Sequence, residues 1–376
     1  MGRRGQRMNV LLDMRVLPLS GAGVATRELV RALLSLPNAP RLTLLVHPAV
    51  QGHPEIAELT QGGADLRRFP YGMLTAGQHL PWLASHLRGA GLFHGTHFDV
   101  PWTAPSPLVV TIHDLFPLDI PGYTSAPKRA YFRAVCGRAL RRAAAVIAVT
   151  QYTKDRVVSR FGVDAAKITP VWLAASDAYR PDAPPGEMGV LAREYALEPG
   201  YILYAGTTKR HKRVDLLLQV YQTVAAEMPS PPPLCLVGAT QEQVLECAGP
   251  GGIPDGVRVL GRVPSAHLPM LFRNASVFCS MSSAEGFGLP NLEAMACGTP
   301  VVAAASGSVP EVVDDGGILT PSGDVAAAAE ALMRVLSDEG LRAELRSRAV
   351  GRARLFNWRR TAEATLDVYR RALGGT

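Results

Sequence analysis

The stretch Ala284-Glu-Gly-Phe-Gly-Leu-Pro-Asn-Leu-Glu293-Ala-Met-Ala-Cys-Gly-Thr-Pro300-Val-Val302 decides the fold. An apolar run, Ser276–Ser280, precedes it and reads as a buried strand. Glycines follow, then Pro290, which suits the first turn of a helix because its missing N–H is one that turn leaves unbonded anyway. Leu289–Ala296 carries helical spacing, and a second apolar run, Val301–Ala304, closes the unit. Strand, glycine turn, helix and strand in this order make a parallel βαβ unit. The turn aims the N–H groups of Gly286, Phe287, Gly288 and Leu289 at an anion, and the helix dipole adds to that field. Glu285 lies in the turn and Glu293 about one turn into the helix; a carboxylate so placed can accept two hydrogen bonds from a vicinal diol. The bland alternative is a glycine turn with Glu293 as a solvated helix charge.

The same alternation extends outward in both directions. Upstream in this half, Tyr201–Ala205, Leu234–Val237 and Val257–Leu260 read as strands, with helices at Val214–Ala226 and Ser265–Phe272. Downstream come a helix at Val325–Leu336 and a helical tail at Trp358–Leu373. Before the proline-rich linker Tyr179-Arg-Pro-Asp-Ala-Pro-Pro-Gly186, a first array holds strands at Met8–Asp13, Leu42–His47, Leu108–His113 and Ala145–Thr150. Val24–Leu36 and Ala126–Ala143 are its helices. Two consecutive arrays imply an α/β protein of two Rossmann-like, doubly wound domains facing a central cleft. In such sheets ligands sit beyond the carboxyl ends of strands, so the residues following strands are where chemistry is expected.

Composition removes several classes. The chain has 376 residues with 30 Pro and 36 Gly, too few for low-complexity disorder and long enough for two ordinary cores. No apolar run is long enough to span a membrane. The basic start Met1-Gly-Arg-Arg-Gly-Gln-Arg7 leads into a strand rather than a signal-peptide apolar region. Five scattered cysteines form neither a disulfide framework nor the close pairs of a zinc site, so a reduced, cytoplasmic setting is expected. The formal charge of +7 favours anionic partners.

Three more places carry candidate chemistry. In Tyr201-Ile-Leu-Tyr-Ala-Gly206-Thr-Thr-Lys-Arg-His-Lys212-Arg-Val-Asp215, a strand ends in glycine and a strongly basic loop follows, suited to a diphosphate or simply solvated. In Val109-Val-Thr-Ile-His113-Asp114, a strand runs straight into a histidine, which is either structural or catalytic. Ser20-Gly-Ala-Gly23-Val-Ala-Thr26 fails as a dinucleotide fingerprint, because Thr26 stands where a third Gly or Ala is expected and no acid ends the next strand. His94 and His97 lack metal-ligand partners and read as structural. From Ile120 to Lys154 there is no acidic residue, while Lys128, Arg129, Arg133, Arg138, Arg141, Arg142 and Lys154 are cationic. That run is a helix with a basic outer face, or else a contact with an anionic membrane or a lipid-diphosphate acceptor.

The Glu285–Glu293 stretch, in its Glu-Gly-Phe-Gly-Leu-Pro and Glu-Ala-Met-Ala-Cys-Gly-Thr-Pro context, resembles the signature of the family 4 retaining glycosyltransferases. The resemblance covers nearly the whole chain and implies the GT-B fold. Implied domains are 1–180 on the acceptor side, 187–356 for the nucleotide sugar, and 357–376 as a helix crossing back to the first. Glu285 and the amides of Gly286, Phe287, Gly288 and Leu289 would hold the donor sugar and its phosphate, and Glu293 the ribose hydroxyls. Lys212 would neutralise the departing diphosphate. Many relatives have an arginine where Thr207 stands, and some have one where His211 stands, so Arg210 or Lys209 is left to assist. His113 would contact the sugar, with Asp114 in support; Gly21 and Gly23 would let the backbone approach the donor; the base would lie near Val263. His113, Lys212 and Glu285 are thus the implied catalytic residues. No Asp-x-Asp clamp is present, and the resemblance implies no cofactor and no metal. One departure is Pro170-Val-Trp-Leu-Ala-Ala-Ser-Asp177, where relatives show an Asn-Gly-Val-Asp-like turn.

The implied reaction is transfer of a sugar, mannose from GDP-mannose as the first choice, to an acceptor hydroxyl with retained anomeric configuration. The acceptor would be a saccharide or lipid-linked saccharide of cell-surface polysaccharide or glycolipid synthesis, with no nucleic-acid partner. The expected location is cytoplasmic, with peripheral contact at the inner face of the membrane as the sharper reading of the basic helix. UDP-glucose or UDP-GlcNAc as donor, a GT-B-like epimerase and a non-catalytic binding protein are the alternatives.

Overall fold

Seven short strands build the first sheet of the computed structural model, which describes residues 7–17 and 21–374. They are β1 (Asn9–Asp13), β2 (Arg41–Val46), β3 (Asp65–Arg68), β4 (Leu92–Gly95), β5 (Leu108–Ile112), β6 (Ala145–Ala148) and β7 (Ile168–Pro170). Their order is β3-β2-β1-β4-β5-β6-β7, all neighbours parallel. A second sheet holds β8 (Ile202–Ala205), β9 (Leu234–Val237), β10 (Val257–Gly261), β11 (Val277–Ser280), β12 (Val301–Ala304) and β13 (Ile318–Thr320). Its order is β10-β9-β8-β11-β12-β13, again parallel throughout.

The chain divides into two compact units, Met1–Ala174 with Asn357–Thr376, and Ala175–Phe356. Each contains one sheet. Parallel strands covered on both faces must be apolar on both, and β4, β5, β6, β9, β11 and β12 are buried at every position. In the first unit one face packs Val30, Leu33, Leu44 and Ile147 with Leu366 and Tyr369, and the other packs Phe93, Val110, Phe132 and Leu140. The second unit gathers Leu217, Tyr221, Leu236, Cys279 and Leu332.

The closing helix Trp358–Ala372 belongs to the first unit. Asn357 caps it, its side chain accepting from the Arg360 N–H at 2.9 Å. Tyr369, fully buried, reaches His94 of β4: Tyr369 Oη to His94 Nδ1 is 2.7 Å, and His94 Nε2 to Thr111 Oγ1 is 2.8 Å. Burial pushes the His94 pKa down to about 3, so the ring is neutral and pins the helix to the sheet.

Differences from the periodicity have local causes. β3 is an edge strand with polar, part-exposed residues, and β7 and β13 have three residues each, too few to show a period. The Ser265–Phe272 helix is in fact a 3-10 turn, Ser265–His267, followed by a helix at Leu268–Arg273, with Pro269 in that helix's first turn, where proline is tolerated. The helix expected at Val24–Leu36 begins earlier, at Ala22, so Gly23 lies inside its first turn. Ser20 of that glycine loop and the six N-terminal residues lie outside the described residues.

Candidate active site

The second sheet reverses its winding between β8 and β11, which are neighbours although β9 and β10 separate them in sequence. A crevice opens beyond the carboxyl ends of strands at such a switch point. The two loops that leave there are the basic loop after Ala205 and the glycine turn after Ser280. They are tied together, since the Ser283 N–H and hydroxyl both donate to the His211 carbonyl, at 2.7 and 3.2 Å.

This brings Lys212 and Glu285 into one ion pair. Lys212 Nζ donates to Glu285 Oε1 at 2.7 Å, and the two side chains are only 18% and 9% exposed. The Glu285 backbone is clamped from behind: its carbonyl accepts from the Ser308 N–H at 3.1 Å and hydroxyl at 3.0 Å. Gly307, at φ +58°, packs so closely that a Cβ there would stand 2.6 Å from the Glu285 carbonyl oxygen. The helix Leu289–Ala296 then starts from Gly288, left-handed at φ +84°, and no side chain caps its first turn. Uncapped N–H groups thus follow directly on a buried Lys–Glu pair.

Glu293, within that helix, is half-buried and accepts a hydrogen bond from the Tyr179 hydroxyl. Burial pushes its pKa up to about 7, with the Tyr179 bond opposing. It is not a solvated helix charge. Tyr179, read from sequence only as linker, packs edge-on against Phe272 at 5.8 Å. No local pattern links it to Glu293, which explains why sequence reasoning missed it.

The basic loop sorts its own cations. Arg213 is bound to Asp215 at 2.9 Å. His211 is buried, and burial first, then the neighbouring Lys212, pushes its pKa down to about 4, so it supplies no positive charge at neutral pH. Lys209, Arg210 and Thr207 are exposed, and the Thr207 carbonyl accepts from the Tyr204 hydroxyl at 2.7 Å. Val263 is half-buried just beyond β10, on the far side of β9 from β8.

In the first unit, His113 directly follows β5. Its Nε2 lies 3.0 Å from the Thr96 carbonyl, an atom that can only accept, so Nε2 carries the proton. Burial pushes its pKa down to about 4 despite that bond. The ring lines a small pocket with Thr26, Thr96, Thr111 and Thr365. Asp114 caps its own turn, accepting from the Phe116 N–H at 3.2 Å. Gly21 has a positive φ of +73°, whereas a Cβ on Gly23 would strike the Leu17 carbonyl at 2.5 Å, so Gly23 serves the packing of its own loop.

Comparison with known proteins agrees with this layout. Residues 19–172 match the model described as glycosyltransferase family 4, and residues 193–352 the one described as glycosyl transferases group 1. O-antigen chain mannosyltransferase B of Escherichia coli is 32% identical over 282 residues, 74% of this chain and 74% of that protein. A D-inositol 3-phosphate glycosyltransferase of Saccharomonospora viridis is 34% identical over 241 residues, 58% of this chain and 56% of that protein. The structure of HepE from Anabaena in complex with UDP and glucose aligns with a TM-score of 0.75 at 19% identity, covering 96% of this chain and 99% of that one. The two parallel-sheet units define a GT-B protein, and the chain belongs to the group 1 glycosyltransferases, of family 4 type. It is a sugar-transferring enzyme.

Proposed function

We propose that the protein transfers a sugar from a nucleoside diphosphate sugar to a saccharide or lipid-linked saccharide hydroxyl with retained configuration, the donor being GDP-mannose. The observation that carries the donor site is the buried Lys212–Glu285 pair at an uncapped helix start. Negative charge grows on the departing diphosphate, and fixed cations and N–H groups there stabilise it without reorganising. Lys212, helped by Arg210 or Lys209 and the amides of Phe287, Gly288 and Leu289, fills that role. Glu285 orients the sugar; Glu293, once ionised, takes the ribose hydroxyls. Charge is carried by these groups with no metal ion, so chelation leaves the rate unchanged. Mannose is supported by the name of the Escherichia coli relative, and that relative also favours cell-surface polysaccharide synthesis as the setting.

The test is transfer of labelled sugar from GDP-mannose, UDP-glucose or UDP-GlcNAc to a mixture of lipid-linked and free oligosaccharides. Label from GDP-mannose alone, in an α-linkage and lost in Lys212→Ala, is expected. Label from a UDP sugar instead corrects the donor, and free nucleotide-sugar interconversion without transfer contradicts the reaction.

We also propose contact with an anionic membrane through the helix Ala126–Arg142. Lys128, Arg129, Arg133, Arg138 and Arg141 are exposed on it, and the Arg138 guanidinium lies over the Trp102 ring at 5.1 Å. Trp102 and Trp82 are themselves 47% and 67% exposed. Cations with exposed indoles suit a headgroup region. Arg142 does not join them, being bound to the Trp102 and Ala104 carbonyls. Co-sedimentation with phosphatidylglycerol vesicles, absent with phosphatidylcholine and lost in Arg129→Glu/Arg138→Glu/Arg141→Glu, is expected; equal sedimentation of variant and parent overturns the contact.

A further inference from the structure

Asn291 is the third residue of the helix that opens at the donor loop, yet its side chain turns inward and is 2% exposed. It lines a small cavity with Tyr204, Ser280, Ser282, Lys212 and Glu285. Its amide oxygen is buried and accepts no hydrogen bond from any described residue. Its amide nitrogen lies against the start of the helix, 3.0 Å from where a Cβ on Gly288 would stand. A buried acceptor left unbonded is costly, and leucine, of similar size, fills such a place without that cost. Local packing therefore does not account for an amide here.

Neighbouring groups leave few donors for that oxygen. Pro290 has no N–H. Lys212 is directed at Glu285, and the Ser280 and Ser282 hydroxyls lie 3.3 Å from one another. A diphosphate brings only acceptors, and a ribose held by Glu293 uses its hydroxyls there. The base also carries N–H donors, but its expected place near Val263 lies beyond β10, across β9 from the β8–β11 crevice, so the donors left beside Asn291 are the hydroxyls of the sugar. We propose that Asn291 is a specificity-determining residue of the donor site, its amide oxygen accepting a hydrogen bond from a hydroxyl of the transferred sugar beside Glu285. This rests on the donor site proposed above.

The consequence is a split between nucleotide and nucleotide sugar. In Asn291→Leu, GDP binds within about twofold of the parent, because it lacks the sugar hydroxyl that Asn291 would accept from. GDP-mannose loses about tenfold in affinity, the usual consequence of one lost hydrogen bond in a closed site. Asn291→Ser, which keeps an acceptor, recovers part of the loss and guards against misfolding of the leucine variant. Titration calorimetry of both ligands on the full chain, with UDP and UDP-glucose as the parallel pair, reads these ratios directly. Equal losses for nucleotide and sugar nucleotide, or no loss for either, overturn the role of Asn291 while leaving the donor site standing. A parent protein that binds neither pair overturns the donor site and this proposal together.

Discussion

Burial pushes the Glu293 carboxyl up to a pKa of about 7, and the ribose contact proposed for it would tie donor binding to pH. Below that value Glu293 is protonated and keeps one acceptor oxygen fewer for a diol; above it both oxygens accept. Affinity for the nucleotide sugar is therefore expected to be full at pH 8 and to fall as pH drops through 7. The diester diphosphate of a sugar nucleotide does not titrate in that range, so the slope belongs to the protein. Titrations of GDP-mannose between pH 5.5 and 8.5 should show it, with Glu293→Gln weak and flat. A parent profile as flat as the variant's contradicts ribose binding by Glu293. The places of Glu285 and Glu293, in the turn and helix after one strand, and of Lys212, in the basic loop after another, were legible from the alternation of elements. Tyr179 and Asn291 were not. The first reaches Glu293 across the linker, and the second differs from an apolar core residue only by the amide it buries.

At the scale of elements, the linker is followed by a helix, Glu187–Tyr195, that the proline-rich text did not announce. What holds it is ionic as well as apolar. Glu187 pairs with Arg273 at the end of the helix Leu268–Arg273; both side chains are under a tenth exposed, and Asn274 adds a bond to Glu187 at 3.0 Å. Sequence could not show a pair whose partners are so far apart in the chain. Removing one member leaves the other charged and buried, at a cost of about 3–5 kcal/mol. Urea unfolding of Arg273→Ala should show a loss of about that size in the second unit, and Glu187→Leu/Arg273→Leu should regain much of it. A loss below about 1 kcal/mol, the range of an exposed pair, contradicts the structural role. The sheets were easier to read, since parallel strands buried on both faces give unbroken apolar runs. His94 hid β4, because its polarity is answered by Tyr369 on the closing helix rather than by anything nearby in sequence.

At the scale of the molecule, two βαβ arrays separated by a proline-rich linker gave the architecture directly, and the winding of the second sheet explains why Lys212 and Glu285 meet after β8 and β11. On the function proposed above, this switch point holds a nucleoside diphosphate sugar. Thermal unfolding of the full chain with GDP or UDP, against Glu293→Ala, tests it most directly. A ligand at 100 times its Kd adds about 2.7 kcal/mol to the state that binds it. One nucleotide, GDP on the reading above, should raise the melting temperature of the parent and leave Glu293→Ala unmoved. No shift with either nucleotide up to millimolar concentration, or an equal shift in the variant, would contradict the donor site.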